Sequence, residues 1–296
     1  MATAFKTVGL TTKLHLERKD EIVRSVLDVL RGLGIDVRVD GHTMAGLPCT
    51  VGLSPIADVA ELDALIAVGG DGTILRTIRE LKPGTVPVVA INAGSVGFLS
   101  EMPLTEIAER LPALLSGGGM LEHRACLDAD VIRGGKTIFT CTAMNDVVMS
   151  QGTISRLLDL KASIGGQFLA TYHADGLIVS TPTGSTAYSL AAGGPVVHPV
   201  ISALILTPIN PHSFTQKPIV VPGNSDIEVT ISDPGVTPFD NVTVGLTVDG
   251  QVYHELQPGD RVIVRMGGAA HFLRATKDAF YRALRTKLKW GEGLEG

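Results

Sequence analysis

The sequence predicts an α/β domain at the amino end, a parallel sheet with covering helices, then an all-β, sandwich-like domain and a carboxyl-terminal helix that packs back on the first domain. Three observations carry this. Strand-length apolar runs alternate with helix-period stripes up to Gly117-Gly118-Gly119, the pattern of strands joined by crossover helices. Beyond those glycines the pattern becomes short alternating strands separated by turn signals. After Gly268 it turns helical again. The predicted divisions are residues 1–118, 119–268 and 269–296.

Each element has a local reason. Thr7 to Leu10 is a short strand. Glu21 to Leu33 reads as a helix, with Ile22, Val23, Val26, Leu27, Leu30 and Leu33 on one stripe and Gly34 as its stop. Ile35 to Val39, Leu62 to Val68 and Val86 to Ile91 are the next three strands. In the second domain Leu127, Ala129 and Val131 face one way and Asp128 and Asp130 the other, before a hairpin turn at Arg133-Gly134-Gly135-Lys136. Asp226 to Ile231 and Arg261 to Met266 repeat the pattern, as in a β-sandwich. A helix interrupts it between Pro182 and Pro195, with a Thr/Ser cap and a Gly193-Gly194-Pro195 stop. Asp278 to Lys289 is an amphipathic helix through Phe280, Tyr281, Leu284 and Leu288.

Composition narrows the function. With 296 residues, 45% of them hydrophobic, the chain can bury two cores unaided. The net charge of −5 supplies no field for nucleic acid, and no apolar run approaches the ~20 residues of a membrane span. The three cysteines, Cys49, Cys126 and Cys141, are far apart and form no C-x-x-C pair, so neither a disulfide framework nor a zinc site is expected. Early charges at Lys13, Glu17, Arg18 and Lys19 break any signal-peptide pattern. A reducing cytoplasm is the expected compartment.

The chemistry centres on Val68-Gly69-Gly70-Asp71-Gly72-Thr73, where an apolar strand gives way to a helix. Glycines there let phosphates approach backbone N–H groups at the positive end of the helix dipole. A carboxylate opposes simple phosphate binding and suits a base for a hydroxyl, a metal ligand, or both. The residues alone also allow a tight turn in which Asp71 caps the helix. A second glycine-bearing loop, Asn92 to Leu99, leaves the same sheet edge, where open α/β sheets bind ligands. Gly135-Lys136-Thr137 lacks the upstream glycine of a P-loop, since Asp130 stands there, and no G-x-G-x-x-G follows a strand.

Gly69-Gly70-Asp71-Gly72-Thr73, Gly97-Phe98-Leu99, Asn145-Asp146, Asp175-Gly176 and Thr181-Pro182-Thr183-Gly184-Ser185-Thr186-Ala187-Tyr188, in this order, resemble the NAD kinase family over essentially the whole chain. The tail from Phe280 to Trp290 is similar to bacterial members. Diacylglycerol and sphingosine kinases share the Gly-Gly-Asp-Gly-Thr element but not the Thr181–Tyr188 segment. The resemblance implies phosphoryl transfer from ATP or polyphosphate, with Mg²⁺ as the divalent cation accompanying the nucleotide, to the 2′-hydroxyl of the adenosine ribose of NAD. No residues are assigned as a dedicated metal site. A lipid or sphingoid-base kinase and a non-catalytic nucleotide sensor are the alternatives; the polar Thr181–Ser189 segment opposes the first and Asp71 the second.

By the same resemblance Asp71 is the proton acceptor, Gly72 contacts substrate through its backbone, Arg76 reaches a phosphate and Phe98 offers an apolar face to the nucleotide. Asn145 and Asp146 bind NAD, although the family's pair is Asn-Glu. Asp175 holds polar groups of NAD, and Thr186, Ala187, Tyr188, Ser189, Leu190 and Ala191 line the pocket. Arg156, His173 and Asn210 fall where members place variable NAD contacts, and Gln251 closes the pocket. Lys217 stands where the family has Arg, and cannot reproduce a bidentate fork. A homodimer or homotetramer is implied.

Overall fold

The computed structural model describes residues 5–81, 84, 86–94, 97–152, 157–232, 243–276 and 279–291. The chain forms two compact units, Met1–His123 with Ala270–Gly296, and Arg124–Ala269.

In the first unit Thr7–Thr12 lies between Asp36–Val39 and Ala64–Gly69, with Ser54–Pro55 beyond the former and Val88–Asn92 beyond the latter, all parallel. Ala64–Gly69 and Val88–Asn92 are buried along their whole length. That explains their unbroken apolar sequences, because a parallel strand has both faces covered. Helix Lys19–Gly32 buries Val23, Val26, Leu27 and Leu30. Each such side chain contributes about 1.5–3 kcal/mol when taken fully from water. The strand order reverses between Thr7–Thr12 and Ala64–Gly69, which opens a crevice at their carboxyl ends. Asp71 begins the helix Asp71–Leu81 directly after that point.

Several boundaries differ from the sequence reading. The first strand continues to Thr12, since Thr11 and Thr12 pair with Ala67 and Val68 and the Thr12 amide donates to Thr43 Oγ1 at 2.9 Å. The first helix starts at Lys19, because Arg18 is left-handed with φ 52°. The carboxyl-terminal helix is Ala279–Leu288; it belongs to the first unit and buries Phe280, Ala283 and Leu284.

The second unit is a β-sandwich. One antiparallel sheet runs Ile219–Pro222, Ala203–Ile209, Gly176–Ser180, Asp146–Gln151, Val244–Val248, Val252–Leu256. The other layer includes Gln167–Ala174, Leu158–Ile164, Ile227–Ile231 and the start of Arg261–Arg274, together with the hairpin of Met120–Arg133 and Lys136–Ala143. Leu127, Ala129 and Val131 are fully buried in the core between them, whereas Asp128 and Asp130 accept hydrogen bonds from Thr142 and Thr140 on the partner strand. The last strand runs to Arg274, well past Met266.

The interrupting segment is not one helix. It is a 3₁₀ turn, Gly184–Thr186, and a single helical turn, Tyr188–Ala191. Ala187 separates them with φ −102° and ψ −127°, values no helix accommodates.

Candidate active site

The first unit holds Asp71 by long-range contacts. Its Oδ2 accepts from the Phe98 amide at 3.0 Å and from Lys287 Nζ at 3.3 Å, and its Oδ1 accepts from the Leu99 amide at 3.3 Å. The carboxylate is thus aimed across the turn at the second loop. A Cβ at Gly97 would overlap the Asp71 carboxylate, so any larger residue there would push that carboxylate from its place. Arg274 and Glu101 anchor the loop from below. Arg274 donates to the Leu99 carbonyl at 2.8 Å, and the buried Glu101 carboxylate pairs with Arg110 at 2.7 Å while accepting from the Ala275 amide at 3.1 Å.

Two neighbours make contacts within the protein. Arg76 donates one guanidinium N–H to the Thr12 carbonyl at 3.0 Å across the strand crevice. Phe98 is buried, with Lys287 Nζ 5.2 Å above its ring centre. Gly72 is exposed at the mouth of the turn.

The second unit is organised by Asp249, which the sequence reading passed over. Asp249 and Gly250 are the central residues of the turn between Val244–Val248 and Val252–Leu256, which the Gln251 amide closes by donating to the Val248 carbonyl at 2.9 Å; both are at positive φ, 49° and 65°, as an Asp-Gly hairpin turn requires. The buried Asp249 carboxylate accepts from three consecutive backbone amides, Met144 at 2.9 Å, Asn145 at 2.7 Å and Asp146 at 3.1 Å. Thr181 grips the same loop from the other side. Its Oγ1 donates to the Met144 carbonyl at 2.7 Å and accepts from the Gly184 amide at 3.0 Å. Gly184 lies so close to the Asn145 backbone that a Cβ would overlap it.

A cavity of about 310 Å³ is lined by Asn145, Asp146, Ala187, Tyr188, Thr247 and Asp249, among others. So the structure brings together four of the predicted residues: Asn145, Asp146, Ala187 and Tyr188. Tyr188 is 46% exposed. Asp175 and Asn210 form a separate pair, Asn210 Nδ2 donating to Asp175 Oδ2 at 2.9 Å from a backbone with φ 45°. His173 is an exposed histidine with Nδ1 2.5 Å from Asp159 Oδ1.

Other members of the predicted set point elsewhere. Ser189 is fully buried and hydrogen-bonds Thr207 Oγ1 at 2.9 Å, so it braces the sheet and does not line the cavity. Thr186 Oγ1 donates to the Thr183 carbonyl at 3.2 Å. Leu190, Ala191 and Gln251 are not among the cavity's lining residues. Arg156 lies outside the described residues.

Burial, with the Asp249 charge second, pushes the Asp146 carboxyl up to about 7. An acid whose pKa is raised by folding takes up a proton on folding between its unfolded and folded pKa values. Stability therefore falls as pH rises from the ordinary aspartate range to about 7, and is level above it. Asp146→Asn removes this penalty. Urea melts should show the variant more stable than the parent at pH 8, with the gain shrinking toward pH 4; a gain independent of pH would contradict the cause assigned.

The chain thus joins an α/β unit, with a carboxylate fixed at the switch point of its parallel sheet, to a β-sandwich with a cavity of its own. The family model of the ATP-NAD kinase N-terminal domain matches residues 50–119, and that of the ATP-NAD kinase C-terminal domain matches residues 144–274. The chain is 40% identical to the NAD kinase of Thiobacillus denitrificans, over 99% of this chain and 100% of that protein. It is 41% identical to the NAD kinase of Moorella thermoacetica, over 96% and 89% respectively. Yeast NADH kinase complexed with NADH superimposes with a TM-score of 0.85 at 27% identity, covering 97% of this chain and 89% of that one. The NAD kinase of Archaeoglobus fulgidus in complex with ATP shares the fold, with a TM-score of 0.75 at 24% identity and coverage of 96% and 98%. This chain belongs to the NAD kinase family.

Proposed function

We propose that this chain transfers a phosphoryl group from ATP, or from polyphosphate, to the 2′-hydroxyl of the adenosine ribose of NAD, with Asp71 accepting the hydroxyl proton. As a member of its family it phosphorylates NAD to NADP. One observation carries the assignment of the base: Asp71 Oδ2 and Oδ1 are fixed by the Phe98 and Leu99 amides at the sheet's switch point. A carboxylate held in this way is pre-oriented for proton transfer, and phosphoryl transfer depends mainly on positioning and charge. ³¹P–¹H correlation spectra of the product from NAD and ATP test the site of transfer. Coupling to the ribose H2′ supports the reading, and coupling elsewhere overturns it.

A divalent cation, Mg²⁺, fits these residues. Among the described residues no group of three His, Cys, Asp or Glu forms a protein cage, and Mg²⁺ is commonly held by substrate phosphates with one or two carboxylates. The donor's phosphates would hold the cation, which would neutralise charge on the transferred group.

Asn145 and Asp146 would bind NAD at the cavity of the second unit, with Asp175 and Asn210 holding its polar groups. Tyr188 would stack on a base or donate its hydroxyl. Tyr188→Ala should weaken NAD binding by roughly 1–3 kcal/mol, the range for a base stacked on an aromatic ring. Its stability cost should be well below the ~3–5 kcal/mol of a buried aromatic, because the ring is half exposed. Titration calorimetry with NAD beside a denaturant melt separates the two, and a large stability loss at unchanged affinity would return Tyr188 to a packing role. The reading includes a homodimer or homotetramer in the cytoplasm. Among the described residues no helix is long and apolar enough to cross a membrane.

A further inference from the structure

Lys287 sits on the polar side of the helix Ala279–Leu288, whose Phe280, Ala283 and Leu284 are buried. Its ammonium reaches Asp71 Oδ2 at 3.3 Å and lies 5.2 Å from the centre of the Phe98 ring. The same oxygen accepts the Phe98 amide at 3.0 Å. One residue, 216 positions from Asp71 in sequence, thus touches both the carboxylate and the loop that orients it. The pair's side chains are 40% and 26% exposed. An ion pair so open to solvent contributes little to stability, about 0–1 kcal/mol. Stability is therefore a weak reason for this lysine to stand at this carboxylate.

We propose that Lys287 is a positioning residue for phosphoryl transfer, fixing the rotamer of Asp71 through Oδ2, so that Oδ1 with its remaining lone pair faces the hydroxyl proton, and supplying positive charge beside the carboxylate. This rests on Asp71 being the base. The hydroxyl proton passes to a carboxylate oxygen, the ribose oxygen forms the new bond to phosphorus and the donor's bridging oxygen leaves with its electron pair. Lys287 exchanges no proton in that sequence. Its cation lies where phosphate charge is brought against a carboxylate, and such a charge acts on the chemical step more than on NAD affinity.

Lys287→Met, Lys287→Arg and Lys287→Ala test this by steady-state kinetics with NAD and MgATP. Lys287→Met should lower kcat by about ten- to a hundredfold with KM for NAD within about threefold. Lys287→Arg should recover a substantial part of kcat, and added ethylammonium should raise the rate of Lys287→Ala but not of the parent. Melting temperatures should stay near the parent's. A Lys287→Met rate within twofold of the parent would overturn the proposal. So would a loss carried wholly in KM, or one that neither arginine nor the amine reverses, because packing alone explains those. If the parent itself makes no NADP, the failure lies with the reading of the function, and Asp71→Asn on an active parent checks the base separately.

Discussion

Asp71→Asn should lower kcat by about 10²–10⁴ while the protein still folds and binds NAD. The substitution keeps size and removes the proposed base together with its charge. Some reorganisation follows from the geometry, since a carboxamide offers one acceptor where Oδ2 and Oδ1 now serve the Phe98 and Leu99 amides. A lost hydrogen bond of that kind costs about 1–3 kcal/mol, which a domain of this size tolerates. Single-turnover rates beside calorimetric NAD affinity check the split. Rates within a few-fold of the parent would remove Asp71 as the base.

Asp249→Ala should damage the second unit severely. It leaves the Met144, Asn145 and Asp146 amides without the carboxylate that now accepts from all three, and it places a Cβ-bearing residue without a polar side chain at φ 49°. Hydrogen bonds to charged groups contribute about 1.5–3 kcal/mol each, and left-handed backbone adds about 1–2 kcal/mol for such a residue. These do not sum freely, because the loop relaxes, so a loss of roughly 3–5 kcal/mol is expected, with a raised KM for NAD. Asp249→Asn, which suits the left-handed backbone and keeps one acceptor, should fall between parent and alanine. Guanidinium melts that rank asparagine below alanine would contradict the role given to the carboxylate.

What was legible in the sequence was local. The Leu65–Val68 run and the glycines after it announce a buried strand turning into a helix, and the alternation of Leu127, Ala129 and Val131 announces a half-buried strand; both need only nearest neighbours. Asp249 was hidden because its three partners lie more than a hundred positions away, although Asp-Gly between alternating strands is a hairpin signal that invites asking where the carboxylate points. Lys287 carries no signal of its own in the sequence, because the carboxylate it meets lies 216 positions away. Ser189 was misread because small polar residues reveal no direction. The break at Ala187 turns that one-turn helix so that Ser189 meets Thr207 instead of the cavity. Arg76 is open in the sequence for a similar reason, since its length allows a ligand as well as the Thr12 carbonyl it meets here.

The most direct test of the function is the reaction itself. Purified protein is incubated with NAD and Mg²⁺, with ATP or polyphosphate in parallel, and NADP is followed through an NADP-specific dehydrogenase. NADP should accumulate only when acceptor and donor are both present, and should fall away in Asp71→Asn. A folded parent that forms no NADP with either donor, or that phosphorylates a sphingoid base or diacylglycerol instead, would contradict the account.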